Sequence, residues 1–183
     1  AAAENALTFL SRGLAAACIA LSVVPAWSQP AAEPPARIEI KAKAIENFES
    51  RDPSRKRFGA LEFRGGLELS SPNRDFGGLS AIRLRPDGSA FIAVTDKAPW
   101  VRGRIVYRGD APAGIADAEI APMLAADGRP LTARGWYDTE SLADDGGTLY
   151  VGIERVHQIV RFDYARDGLL ARAQPIARPP AFA

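Results

Sequence analysis

Residues 137–164 read YDTESLADDGGTLYVGIERVHQIVRFDY. Asp144-Asp145-Gly146-Gly147 is a turn signal between two apolar runs, because glycine accepts positive φ and aspartate hydrogen-bonds its own backbone. Gln158 to Tyr164 alternates apolar and polar residues as a half-buried strand does. The stretch therefore reads strand, turn, strand, turn, strand. It also carries Asp138, Glu140, Glu154, Arg155 and the single histidine, His157.

The same unit occurs earlier. Asp87-Gly-Ser-Ala-Phe-Ile-Ala-Val-Thr-Asp96-Lys97 aligns without a gap on Asp145-Gly-Gly-Thr-Leu-Tyr-Val-Gly-Ile-Glu154-Arg155, at a constant offset of 58 residues (Asp87 to Asp145, Asp96 to Glu154). Upstream, Leu79–Ile82 lines up with Thr139–Leu142, and downstream Ile105–Tyr107 takes the place of Val160–Phe162. A period of this length built of short strands and Asp-Gly turns is the signature of repeated small sheets, with a propeller blade as the best fit. The expected fold is all-β: β-propeller-like four-stranded blades that bury their faces by stacking. Two to three such units fit between residue 37 and residue 183, against roughly four to eight in a typical propeller. The chain accordingly reads as C-terminally truncated.

Residues 1–28 read as a signal-peptide helix. Arg12 supplies a positive charge, Gly13–Val24 an apolar run, and Pro25-Ala-Trp-Ser28 small residues at a cleavage position. The run is shorter than the roughly 18 apolar residues of a membrane span. No stable membrane insertion is expected after cleavage, and the location is periplasmic or secreted. Residues 29–36 form a Pro/Ala linker and 37–183 the β domain. Cys18, the only cysteine, lies in the signal segment, so disulfides, thiolate zinc sites and cysteine nucleophiles are excluded from the mature chain. With 23 basic and 22 acidic residues interleaved, the charge pattern gives no support for nucleic-acid binding.

Within the domain, Arg37–Ile45 alternates as one strand, and residues 47–57 read as a surface loop. Leu61–Phe63 and Gly66–Ser70 form an extended pair with a glycine break. Pro86-Asp87-Gly88 is a turn with a mechanism, since proline presets φ and glycine accepts its positive value. A third strand is expected at Arg104–Arg108, after a loop holding Trp100. Residues 117–123 fit a strand or a short helix. Ala125–Pro130 and Ala165–Gly168 read as turns, and Leu169–Ala177 as the start of a further strand.

The chain resembles the phytase-like β-propeller proteins, described as having the esterase-like activity of phytase. The resemblance rests on Phe76-Gly-Gly-Leu-Ser80, Pro86-Asp-Gly88, Val94-Thr-Asp96, Asp138-Thr-Glu-Ser-Leu142, Asp145-Gly146, Ile153-Glu154 and His157-Gln-Ile159. Where that family has Glu-Gly-Ile or Glu-Gly-Leu, this chain has Glu140-Ser141-Leu142, which keeps the acid. The resemblance implies an active site made of acidic residues at blade-strand ends, and hydrolysis of a small anionic or phosphorylated substrate such as a phosphate ester.

The residues themselves narrow the chemistry. One histidine excludes a multi-histidine zinc site, and a serine nucleophile would need His157 as its base. Carboxylates remain. Asp96, Asp138, Glu140 and Glu154 fall at predicted strand ends, and an oxygen-rich set of this kind suits a hard cation, Ca²⁺ above all. Asp138, Glu140 and Glu154 are the catalytic candidates; Arg155, Lys97 and His157 are candidates for binding substrate. Asp96-Lys97 and Glu154-Arg155 also fit ion pairs between sheets or solvated strand ends, His157 fits a plain polar or packing role, and Trp100, Trp136 and Tyr137 fit packing. Glu140 is peculiar to the second unit, where the first has Ser80. The alternative function is a non-catalytic periplasmic propeller that binds a ligand or protein partner; a lactonase-like or sugar-acid-binding propeller is a third.

Overall fold

Both Asp-Gly turns form where the sequence puts them, and the sheets grow from them. The computed structural model describes residues 33–177. The chain divides into two units at Pro30–Ala31. The segment read as a signal peptide, the first part of the expected linker and residues 178–183 lie outside the described residues. No helix among the described residues is long and apolar enough to cross a membrane.

The alternating segment at 37–45 is two strands rather than one, β1 (Ala36–Arg37) and β2 (Lys41–Ile45). The chain changes sheet between them: the Ile38 N–H donates to the Ala118 carbonyl, and Ile40 turns into the core. Strands β3 (Arg57–Phe58) and β4 (Leu61–Glu62) pair with each other, so the expected pairing of 61–63 with 66–70 does not occur. Instead β5 (Gly66–Ser70) pairs along its whole length with β2. A meander follows: β6 (Leu79–Leu84), β7 (Ala90–Thr95), β8 (Pro99–Arg108) and β9 (Ala111–Pro122), with β1 added on the outer edge of β9. The third strand starts at Pro99 rather than Arg104, which places Trp100 inside the sheet. The ambiguous 117–123 segment is mostly strand.

The second meander is β10 (Thr139–Asp145), β11 (Thr148–Ile153), β12 (Gln158–Asp163) and β13 (Gln174–Pro175). Its first turn has Gly146 and Gly147 both at positive φ, the two-residue hairpin that matches strand twist. The expected turn at 165–168 is instead one helical turn, α1 (Tyr164–Asp167), capped by the Asp163 carboxylate on the Arg166 N–H. The last strand is far shorter than expected, because Pro175 has no N–H to continue the ladder.

Register shows the two meanders to be copies. Leu79 faces Thr95 as Thr139 faces Ile153, and each pair is followed by a skipped residue, Ser80 or Glu140. Further out, Ile92 pairs with Arg102 and Tyr150 with Arg161, an offset of 59 for the third strand. Val101–Gly103 is therefore the counterpart of Val160–Phe162, which corrects the alignment of Ile105–Tyr107 on that strand. Arg102 forks onto Glu119 of β9, and Arg161 makes the same fork onto Gln174 of β13.

The meanders stack front to back. Ile92, Val94 and Trp100 on one face of the first sheet meet Leu149, Val151, Ile153, Val160 and Phe162 of the second. Trp100 and Phe162 touch edge to face at 4.9 Å, a geometry the ring quadrupoles favour. The opposite face of the first sheet, Phe91, Ala93 and Val101, packs with Ile40 and Leu69 from the β2–β5 pair. Strand β7 thus serves two cores through the period-2 alternation of its side chains. None of the four sheets closes on itself.

Candidate functional site at the strand-end rim

Strands β7 and β11 end at the same side of their sheets, with an acid one residue beyond each. A line of backbone hydrogen bonds joins the two ends. The Asp96 N–H donates to the Gly78 carbonyl (2.9 Å), the Asp138 N–H to the Asp96 carbonyl (2.6 Å), and the Glu154 N–H to the Asp138 carbonyl (2.8 Å). Beneath it, the buried Thr139 hydroxyl donates to the Thr95 carbonyl. The second meander is thereby fixed to the first at the point where the acids stand.

The repeat makes Gly78 and Asp138 equivalent, each one residue before its inner strand and each at positive φ (56° and 69°). Gly78 is required twice over. Its φ suits a residue without Cβ, and a Cβ there would collide with the Asp96 carboxylate. At the second position an aspartate holds the same left-handed backbone, a sparsely populated state for a residue with a side chain. Strain of this kind concentrates at functional sites.

Asp96 Oδ1 is buried and accepts no hydrogen bond. A buried acceptor without a partner carries its full desolvation cost. Asp96 and Asp138 line one pocket of about 410 Å³, with Lys97, Thr132 and Tyr137. Lys97 Nζ donates to the Arg74 carbonyl at 3.0 Å, which leaves two of its three protons for a ligand. The Arg155 guanidinium lies over the Tyr137 ring, 4.4 Å from its centre. Cation–π contact of this kind holds a guanidinium in place while its edge stays available.

Glu140, Glu154 and His157 fall in a second, shallower pocket of about 270 Å³. Glu140 is the skipped residue of the β10–β11 ladder and is exposed. A bulge turns its residue out of the pleat, so the local geometry re-aims Glu140 away from the ordinary face alternation. Glu154 opens a three-residue 3₁₀ turn, and His157 closes it in the left-handed conformation with its N–H on the Glu154 carbonyl (3.0 Å). His157 is exposed, which removes the packing reading.

The predicted residues thus share one rim, but Asp96, Lys97 and Asp138 line one pocket, Glu140, Glu154 and His157 the other, and Arg155 lines neither. A hard cation takes about six to eight oxygens, or fewer protein oxygens when water and phosphate complete its shell. Among the described residues no three carboxylate or imidazole groups come together as a metal site. Two do share a pocket, Asp96 and Asp138, and the unpartnered Asp96 Oδ1 is the atom with most to gain from a cation. Sequence reading missed the role of Gly78, although the Gly77-Gly78 pair before a strand was a visible signal. It read Tyr137 as packing, which holds, since Tyr137 packs against the core, but missed that the same ring carries Arg155.

A family model described as "Phytase-like: Esterase-like activity of phytase" matches residues 74–183. The match takes in both meanders and every rim residue named above. No curated protein and no solved structure matches the chain.

Proposed function

Because the chain belongs to the phytase-like family, we propose that it is an exported hydrolase of phosphate esters working at the rim of a stacked, propeller-like β domain. The observation that carries this reading is the pairing of a left-handed Asp138 with an Asp96 whose inner oxygen has no partner. Both features are costly, and although the Asp138 backbone joins the two meanders, the fold needs no carboxylate at either place. The front-to-back stacking of two equivalent meanders supports the propeller part. The N-terminal apolar segment supports export.

Asp96 and Asp138 would hold a Ca²⁺ ion, which supplies charge neutralisation for the substrate's phosphate oxygens. Lys97 and Arg155 bind and orient the remaining oxygens, Arg155 through the free edge of its stacked guanidinium. Glu140, outward on the bulge, takes the proton of the attacking water at a carboxylate oxygen. Glu154 on the adjacent 3₁₀ turn relays that proton to the leaving oxygen. His157 adds a hydrogen bond to the substrate at the shallower pocket.

The test is turnover of phosphomonoesters and phosphodiesters by the whole chain, with Ca²⁺ and with chelator. Ca²⁺-dependent release of phosphate or alcohol supports the proposal; equal, negligible turnover in both conditions overturns it. The division of the acids between two pockets favours, as the second reading, a non-catalytic module that binds a phosphorylated ligand or a protein partner at this rim. Saturable binding of a phosphate ester without any product identifies that case.

A further inference from the structure

At the end of the sheets away from the acids, the two meanders part and leave a cleft of about 470 Å³. Its lining includes Arg83, Arg85, Ile92 and Arg102 from the first sheet, and Leu149 and Tyr164 from the second. Cross-strand pairing explains why arginines gather there. Arg83 stands beside Ile92, Ile92 beside Arg102, and Arg102 beside Glu119; one step outward, Arg104 is opposite Ala90. These residues continue the face whose inner end is Val94 and Trp100, so one sheet face is apolar core at one end and guanidinium-lined at the other.

The arginines differ in what they have to do. Arg102 is held by Glu119 at 2.6 Å and also reaches the Tyr164 hydroxyl. Arg104 is held by Asp117, also at 2.6 Å. Arg85 lies only loosely near Asp87, at 3.9 Å with both side chains largely exposed. Arg83 has no ion-pair partner among the described residues. The remaining acid of the cleft, Asp144, accepts the Gly147 N–H in its turn. Arg83 is thus without an ion pair and Arg85 has only a long one, beside an apolar floor of Ile92 and Leu149, while the Asp144 carboxylate keeps its charge in the same cleft. The Tyr164 hydroxyl, accepting from Arg102, keeps its proton to donate.

The second meander serves as an internal control. Arg102 has the counterpart Arg161 with the same fork, so that arginine belongs to the scaffold. The counterparts of Arg83 and Arg104 are Ala143 and Asp163, and Arg85 lies in a turn that is two residues shorter in the second meander. The sheet does not need arginine at the two strand positions.

We propose that this cleft is a second binding site, separate from the rim, for a phosphate monoester with a small apolar or aromatic body. Two fork-shaped cations match a dianionic phosphate, each able to give it two parallel hydrogen bonds. The Ile92–Leu149 floor takes the body, and a volume near 470 Å³ accommodates a single-ring ligand. The proposal does not depend on catalysis at the rim.

The probe is phenylphosphonate, which carries the charge and the ring and cannot be hydrolysed as an ester. Titrated calorimetrically into the whole chain, it binds saturably. Arg83→Ala and Arg85→Ala each weaken it by roughly tenfold or more, as loss of a charged hydrogen bond does. Inorganic phosphate, lacking the ring, and benzoate, lacking the second charge, bind at least about tenfold more weakly. With chelator present, so that no Ca²⁺ contributes at the rim, the rim variant Asp96→Asn binds phenylphosphonate as the parent does. Both arginines are exposed, so their replacement leaves the fold intact, which a thermal melt checks. Failure to saturate, unchanged affinity in the Arg83→Ala/Arg85→Ala double variant, or equal weakening by Asp96→Asn each overturns the proposal. Absence of phosphatase activity does not touch it, so the two readings fail separately.

Discussion

Asp138 is the residue whose backbone and side chain pull in different directions. Its φ of 69° is the value its counterpart Gly78 holds freely at 56°, so Asp138→Gly removes strain while keeping the chain path. The variant is expected to be more stable by about 1 kcal/mol in chemical denaturation. It is also expected to lose most phosphate-ester turnover, since it lacks the carboxylate that shares a pocket with Asp96. Gain of stability with loss of activity is the mark of a functional strain; loss of both would make Asp138 a structural residue. Glu140 gives the complementary case. It is exposed on a bulge where the first copy has Ser80, so Glu140→Gln should shift stability by less than about 0.5 kcal/mol. Turnover should fall by about 10²-fold or more if Glu140 moves the proton. Unchanged turnover would remove it from the mechanism.

At the scale of elements, the connection between the meanders is held by a charged turn. Asp127 accepts the Arg129 N–H at 3.1 Å and pairs with Arg134 of the following 3₁₀ turn at 2.7 Å. The backbone N–H of Arg129, and then Arg134, hold its carboxyl below the usual aspartate value of 3.8. A depressed carboxyl contributes stability that is complete above its unfolded value and is lost as pH falls through its folded one. The melting temperature of the parent should therefore exceed that of Asp127→Asn at pH near 6, and the gap should narrow steadily below about pH 4. A gap independent of pH would show that the ion pair and the turn contribute nothing through charge. This turn was legible from Ala125-Ala-Asp-Gly, as were the Asp-Gly hairpins and the strands on either side of them, because local turn chemistry fixes them. The length of β8 was not. Lys97-Ala98-Pro99 reads as a loop, yet the chain re-enters the sheet at Pro99, and Trp100 is fully buried because Phe162, far along the chain, packs on it. The brevity of β13 and the division of the rim acids between two pockets likewise depend on tertiary placement. The repeat located the strand-end acids; it carried no information about which pocket each side chain would enter.

Across the whole molecule, the two meanders are chemically similar but not equally enclosed. The first lies between the β2–β5 pair and the second meander, so β7 contributes to cores on both faces. The second is covered on one face only among the described residues. On its other face Ile159, the counterpart of the fully buried Trp100, is 54% exposed. Amide exchange reads this difference directly, since slow exchange requires a hydrogen bond that opens only with the surrounding core. The slowest amides should fall in β7 and the inner half of β8, from Phe91 to Val101. Those of β11 should exchange faster than their counterparts 58 positions earlier, although both strands are central in their sheets and donate to equivalent ladders. The β3–β4 hairpin, with Leu61 75% exposed, should exchange fastest of the paired strands. Equal protection of β7 and β11 would mean that the second meander's outer face is covered in solution, as continued stacking of further sheets or association of chains would do. A concentration series separates those two, because protection by association falls on dilution whereas protection by covalently continuous sheets does not.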